Sequence, residues 1–205
     1  MTAYRDTVRR PPKVLTEREV VALLRVTGAH VRGFRDHVLF GLALSTGLRE
    51  HELLALDVGD LRDPAGRIRR RIQLRVWKRS NRDASQQEVF LNDTIRAKLE
   101  RLLQLRARGR RPLPDDAPVF VSTRGTRLSS RRVRSTFAHW QRVAGFDRHL
   151  TFHALRHTAV TSVYRKTKDP RLAQRYARHA SPVSTAIYTH PTDDDLLAVV
   201  AQLLA

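Results

Sequence analysis

The stretch Ser45-Thr46-Gly47-Leu48-Arg49-Glu50-His51-Glu52-Leu53-Leu54-Ala55-Leu56 marks the point beyond which the chain stops being purely helical. Upstream of it, residues 36–45 form an apolar helical segment stopped by Gly47, which suits a left-handed C′ position. Further upstream, Thr16-Glu17-Arg18-Glu19 reads as a capping box, because the Thr hydroxyl and the Glu carboxylate can each satisfy an orphan N–H. Val20, Leu23 and Leu24 then recur at helical spacing. Residues 1–12 are polar and end in Pro11-Pro12, as a tail or linker stub does.

Downstream of Leu56 the periodicity changes. Asp63-Pro64-Ala65-Gly66 is a turn. Ile68, Ile72, Leu74 and Val76 then fall on one side of an alternating segment, opposite Arg69, Arg71, Gln73 and Arg75. Val89-Phe90-Leu91 suggests a return strand, joined through a polar loop over residues 78–87. Val119-Phe120-Val121 is the one other β signal. The rest is helical. Asn92-Asp93-Thr94 caps a helix bearing Ile95, Leu99, Leu102 and Leu103 on one face. Ser129 or Ser130 caps another, with Val133, Phe137 and Trp140 inward and Arg131, Arg134, Ser135 and Arg142 outward, a face suited to a major groove. Helical stretches over 153–165, 171–179 and 182–188 follow, then an apolar terminal helix over 194–204. The expected fold is mainly α with a small antiparallel β-sheet (α+β), with no internal repeat and no linker dividing residues 15–205.

The 205 residues carry 39 Lys+Arg against 20 Asp+Glu, a formal net charge of +19. Only five of the basic residues are Lys, so the excess rests on Arg, which grips phosphate oxygens two at a time. Residues 117–146 contain no acidic residue but hold Arg124, Arg127, Arg131, Arg132, Arg134 and Arg142. Residues 67–82 hold Arg69, Arg70, Arg71, Arg75, Lys78 and Arg79. Such runs read either as a phosphate-backbone footprint or as an Arg-biased solvated surface, and the clustering favours DNA or RNA as partner. The 41% hydrophobic content can build a core, and the absence of Cys excludes a disulfide framework, a thiolate metal site and a Cys nucleophile. No apolar run approaches the ~18 residues of a membrane span, and residues 1–12 lack an apolar signal core. A soluble cytoplasmic, nucleoid-associated protein with no membrane contact is expected.

Several side chains could do chemistry, although each alone has a plain reading. Arg49 follows a helix stop with Glu52 three residues on, as in any capped helix with a surface ion pair. His153 and Arg156 share a helical face, yet a His-x-x-Arg is common. His157 follows at once and is expected to point away in a structural role. Tyr188 lies nine residues after His179, and a tyrosine at helical spacing is usually core filler. Asp193-Asp194-Asp195 is the nearest approach to a carboxylate cluster, and consecutive positions at a helix start serve better as an N-cap than around one ion.

Taken together, Arg49, Lys78, His153, Arg156, His179 and Tyr188 resemble, in order and approximate spacing, the tyrosine recombinase (phage integrase) family. The phrases over residues 45–56, Phe152-His153-Ala154-Leu155-Arg156-His157-Thr158 and Ile187-Tyr188-Thr189-His190 are similar to its three signature segments. The resemblance implies a tyrosine recombinase catalytic-domain fold and a DNA strand transferase needing no metal and no cofactor. It makes Tyr188 the nucleophile on a scissile phosphodiester, leaving a 3′-phosphotyrosyl link and a free 5′-hydroxyl. Arg49 and Arg156 would clamp the non-bridging oxygens, His153 would be the proton-transfer partner of the Tyr, and Lys78 the acid for the departing 5′-oxygen. His179 would support the phosphate and Glu52 would partner Arg49. Arg75, Arg79, Arg131, Arg134 and Arg142 would bind DNA.

Two segments depart from the family pattern. Trp77-Lys78-Arg79 replaces Gly-Lys-Gly, leaving Arg79 and Arg82 as other cations of that loop, and Ala177-Arg178-His179 replaces Leu-Gly-His. Tyr164 and Tyr176 are further phenols at the wrong distance from His179. The family's N-terminal core-binding domain is expected to be absent: residues 1–14 read as a tail or linker stub and 15–205 as the catalytic domain, either a fragment or akin to short DNA invertases. The terminal helix either packs on its own domain or docks into a neighbouring subunit of a DNA-bound tetramer. The other readings are a non-catalytic DNA-binding regulator on an integrase-like fold and a type IB topoisomerase-like strand relaxer.

Overall fold

A computed structural model of the chain describes residues 13–30, 32–75, 87–108, 112–186, 188 and 200. Helix α1 (Glu17–Ala29) starts where its capping box places it: Thr16 accepts the Glu19 N–H, and the Glu19 carboxylate takes the Thr16 N–H at 2.7 Å. Helix α2 (Phe34–Thr46) buries Val38, Leu39, Phe40, Leu42 and Ala43, too many for one stripe, so it is a central helix with neighbours on several sides. It packs against α1, α5 (Asp93–Ala107) and α7 (His153–Thr167). Gly47 ends it in the left-handed region at φ 62°.

Two short helices that periodicity did not reveal follow, α3 (Glu50–Ala55) and α4 (Val58–Leu61). Each is started by a carboxylate reaching back one turn. Glu52 takes the Arg49 N–H at 2.7 Å, and Asp60 takes the Asp57 N–H at 2.8 Å. Six and four residues are too few for a hydrophobic period to show. The sheet is the expected antiparallel pair, β1 (Arg71–Gln73) and β2 (Glu88–Phe90), in register Ile72 opposite Val89. Both of those side chains are buried. Val119-Phe120-Val121 is no strand: Val121 bridges Arg127 and Pro118 bridges Asp57 singly, because the turn over 122–126 reverses the chain before a ladder can extend.

Helix α6 (Ser130–Val143) is capped by Ser129 and buries Val133, Phe137 and Trp140 as expected. Helix α7 runs two residues past its expected end, to a left-handed Lys168. Helix α8 spans Pro170–Ala177 rather than 171–179, because Asp169 caps it, Pro170 is tolerated in its first turn and Arg178 turns left-handed beyond it. Helix α9 is shorter than expected, Val183–Ala186. The tail over 1–12, the hairpin loop with Val76, Trp77, Lys78, Arg79 and Arg82, and the terminal helix apart from Val200 lie outside the described residues. No described helix is long and apolar enough to cross a membrane.

Aromatic packing fixes where the site will form. The rings of Phe40, Phe137 and Phe152 meet edge-on or tilted, with centroids 5.4–6.1 Å apart, locking α2 and α6 onto the residue that precedes His153. Trp140 donates its indole N–H to the buried Asp36 at 2.9 Å, a second tie between α6 and α2. The start of α7 is thus held against the C-terminal half of α2, which leads directly into Gly47 and Arg49.

A side chain at Gly47 is therefore costly on two counts. Its φ is left-handed, and a Cβ would sit 3.0 Å from the Tyr176 ring. Gly47→Ala is expected to lower stability by about 1–2 kcal/mol, read as a lower urea midpoint at unchanged m-value; an unchanged midpoint would contradict this account of the turn.

Candidate active site

Arg49 sits in extended backbone at the N-cap of α3, one residue beyond the Gly47–Leu48 turn. Glu52, buried to 4% exposure, binds it twice, taking its backbone N–H through Oε2 and its Nη1 through Oε1 at 2.8 Å. The same Oε2 accepts Nη2 of Arg178 at 2.7 Å, from the left-handed corner after α8. Burial pushes the Glu52 carboxyl up, but Arg178, the Arg49 backbone N–H, and the Arg49 and Arg156 guanidinium groups outweigh it and hold it below the usual carboxylate range. Glu52 is therefore ionised at neutral pH.

Arg156, on α7, is also buried. Its Nη1 donates to the Gly47 carbonyl, and its Nη2 to the Ala177 carbonyl at 2.6 Å. One guanidinium thus ties the C-terminal ends of α2 and α8, where the helix dipoles favour a cation. Burial, together with the Arg49 and Arg178 charges, pushes it down to about 10, which still leaves it charged at neutral pH.

The phenol lies beside the corner that Arg156 holds. Tyr188 is buried beside Val160 and Ala177, and its ring lies nearly parallel to that of His179, with centroids 5.9 Å apart. Burial raises its hydroxyl above the ordinary phenol value, while Arg156 and Arg49 pull the other way. His179 is oriented by a bond between Nδ1 and Thr185 Oγ1 at 2.9 Å. Burial, with Arg156, Arg49 and Arg178, pushes His179 down to about 4.

His157 corrects the sequence reading. It does not point away: its Nδ1 lies 2.7 Å from the Tyr188 hydroxyl. Measured from Arg156 it is the next residue and diverges, but measured from His153 it is one helical turn on and shares that face. The two imidazoles meet edge-to-face at 4.4 Å. Burial, then His153 and Arg156, push His157 down to about 4. Partial burial and the Arg156 and Arg49 charges likewise lower His153. All three imidazoles around the phenol are therefore neutral near pH 7.

Arg49, Glu52, Arg156, His179 and Tyr188 are thus brought into one cluster, with His153 at its edge, while Lys78 and Arg79 lie outside the described residues. Arg75 is spoken for within the chain, donating to Asp57 and, at 2.8 Å, to Asp60. Arg134 pairs with Glu50 at 3.0 Å. Arg131 and Arg142 are exposed and make no ion pair among the described residues. A cavity of about 510 Å³ opens beside Arg49 and His153 and runs to Arg134, so the arginine face of α6 leads into the cluster. Sequence reasoning missed two members, His157 and Arg178. The i, i+4 spacing from His153 could have found the first, and the arginine standing where the family has Gly marks the second.

The phage integrase family model matches residues 13–195. Tyrosine recombinase XerC of Actinobacillus pleuropneumoniae serotype 7 (strain AP76) is 31% identical over 182 residues, covering 89% of this chain and 56% of its own length. XerC of Corynebacterium efficiens is 33% identical over 168 residues, covering 82% of this chain and 50% of its own. The chain thus spans about half the length of the curated relatives it matches. The crystal structure of XerA recombinase superposes with a TM-score of 0.73 at 28% identity, over 93% of this chain and 63% of that one. XerH site-specific recombinase bound to difH substrate shares the fold, with a TM-score of 0.72 at 24% identity, over 97% of this chain and 56% of that one.

The depressed Glu52 carboxyl makes a prediction with a definite sign. A carboxyl whose folded pKa lies below its unfolded value of ~4.3 stabilises the fold above that value, and the benefit is lost as pH falls through the folded pKa. Glu52→Gln leaves Arg178 buried without its carboxylate and is expected to lose about 3–5 kcal/mol at neutral pH. In urea titrations the gap to the parent protein should narrow below pH ~4; a gap that widened on acidification would contradict the ion-pair account.

Proposed function

Because the chain belongs to the phage integrase family, we propose that it is a site-specific recombinase that breaks and rejoins double-stranded DNA through a 3′-phosphotyrosyl intermediate on Tyr188. The observation that carries this reading is that Arg156 holds the Ala177 carbonyl while Tyr188 packs beside Ala177 and against the ring of His179, with Arg49 tied to the same corner through Glu52 and Arg178. Attack by the Tyr188 oxygen on phosphorus forms the O–P bond and releases the 5′-oxygen. A 5′-hydroxyl from a partner strand then reverses the step and restores the tyrosine. The transition state gathers negative charge on the non-bridging oxygens, and preorganised guanidinium donors are what stabilises it. Arg49 is held by Glu52, and Arg156 by two carbonyls, so neither reorganises when the phosphate arrives.

His179 supports the phosphate beside them. By the resemblance Lys78 protonates the 5′-oxygen, His153 serves the proton traffic, and no cofactor takes part. Arg131 and Arg142, exposed and without an ion pair among the described residues, supply charge along α6 for the DNA backbone, whereas Arg75 and Arg134 enter already paired to carboxylates. The apolar terminal helix joins subunits in a DNA-bound tetramer, and the protein acts in the cytoplasm on nucleoid DNA. The XerC names of its relatives support the recombinase reading.

The test is covalent capture on a pool of nicked suicide duplexes with randomised flanks. The parent protein is expected to give a protease-sensitive DNA adduct that Tyr188→Phe abolishes while still binding DNA. An adduct retained in Tyr188→Phe would overturn the nucleophile, and binding without any adduct would favour a non-catalytic DNA-binding protein. Arg131→Ala should weaken binding across all sequences and flatten the plot of log affinity against log salt by about 0.9, one phosphate's worth; an unchanged slope would remove α6 from the interface.

A further inference from the structure

We propose that His157 is the base that takes the proton from the Tyr188 hydroxyl as its oxygen attacks phosphorus. The inference rests on the recombinase reading above and moves the proton-transfer role that the resemblance gives His153 to the imidazole one helical turn on. Tyr188 must lose a proton to become a nucleophile, and a buried phenol holds that proton more firmly than an exposed one. A base must stand within hydrogen-bond reach of it. Among the described residues the hydroxyl has one hydrogen-bond partner, Nδ1 of His157 at 2.7 Å.

The neighbouring imidazoles are placed for other work. His153 meets the edge of the His157 ring, and no bond joins it to the phenol among the described residues. His179 lies nearly parallel to the phenol, and its Nδ1 is engaged by Thr185. Among the described residues, the charged and titratable groups facing the pair are His153 and Arg156 from α7, His179 from the corner after α8, and Arg49 from the start of α3. With burial, the α7 groups keep His157 neutral, so Nδ1 can carry a free lone pair with the ring proton on Nε2.

The step balances with the acid that the reading above assigns to the leaving oxygen. The Oη–H bond breaks and its proton moves to Nδ1, the Oη–P bond forms, and the P–O5′ bond breaks with its electron pair on O5′, which takes a proton from Lys78 to give the free 5′-hydroxyl. In the reverse attack the 5′-hydroxyl returns that proton to Lys78 as its oxygen displaces the phenolate, and the imidazolium returns its own proton to the phenolate. The negative charge of the bound phosphate stabilises the imidazolium between those two events, offsetting its proximity to Arg156.

The experiment measures adduct formation by the full chain on suicide duplexes, with the parent protein, His157→Gln and His157→Asn. Both variants are expected to bind DNA with unchanged affinity and to form adduct about 10²–10⁴-fold more slowly at neutral pH. Their rates should climb about tenfold per pH unit as hydroxide replaces the lost base, where the parent rate is flat. A duplex with sulfur in place of the scissile O5′ needs no proton on its leaving group; it should leave the His157 defect in place. Adduct formed by both variants at the parent rate, or a defect abolished by the sulfur substrate, would overturn the assignment while leaving the recombinase reading intact. No adduct from the parent protein would overturn that reading itself, and this inference with it.

Discussion

One buried carboxylate organises the centre of this molecule. Glu52 accepts the N–H that starts α3, the guanidinium of Arg49 and the guanidinium of Arg178, three donors from two distant parts of the chain. With Arg156 alongside, the cluster holds three cations and one anion, a net charge of 3 − 1 = +2, with Glu52, Arg156 and Arg178 buried and Arg49 partly exposed at the open side. Buried charge of that kind is tolerated when each group is paired and hydrogen-bonded, and a surplus of two positive charges is an open invitation to a phosphate in a negatively charged transition state. Removing Glu52 would therefore disturb both the fold of the α2–α3 corner and the charge balance of the site.

Arg178 shows how this chain solves the problem in its own way. The family's Gly at that corner suits the left-handed backbone without strain; here an arginine adopts the same region at φ 54°. The side chain gained by accepting that conformation reaches Glu52, an additional fixed point for the carboxylate that positions Arg49. Arg156 performs the matching task on the other wall, joining the carbonyl ends of α2 and α8. The two helix ends that frame the site are thus joined by the Arg156 guanidinium.

Much of this was legible in the sequence. The capping box at Thr16, the Gly47 stop, the alternating Ile72 and Leu74, and the Val133, Phe137 and Trp140 stripe each encode a local interaction, and local interactions are what periodicity and caps report. The Arg49–Glu52 pair was legible for the same reason, being three residues apart. Helices α3 and α4 were not, since they are shorter than the period that would reveal them. The Tyr188–His157 contact joins residues 31 apart, and Arg178–Glu52 joins residues 126 apart. Which imidazole meets the phenol depends on how α7 packs against the chain after α8, and no single segment carries that information.

The central claim is that Arg49, Arg156 and Tyr188 converge on one phosphorus atom. A crystal structure of the full chain with a cleaved duplex and orthovanadate, which adopts the five-coordinate geometry of phosphoryl transfer, measures this directly. The account predicts vanadium bonded to the Tyr188 oxygen, with its equatorial oxygens on the Arg49 and Arg156 guanidinium groups. Vanadate held elsewhere, or held by the arginines while a different side chain occupies the in-line position, would contradict it.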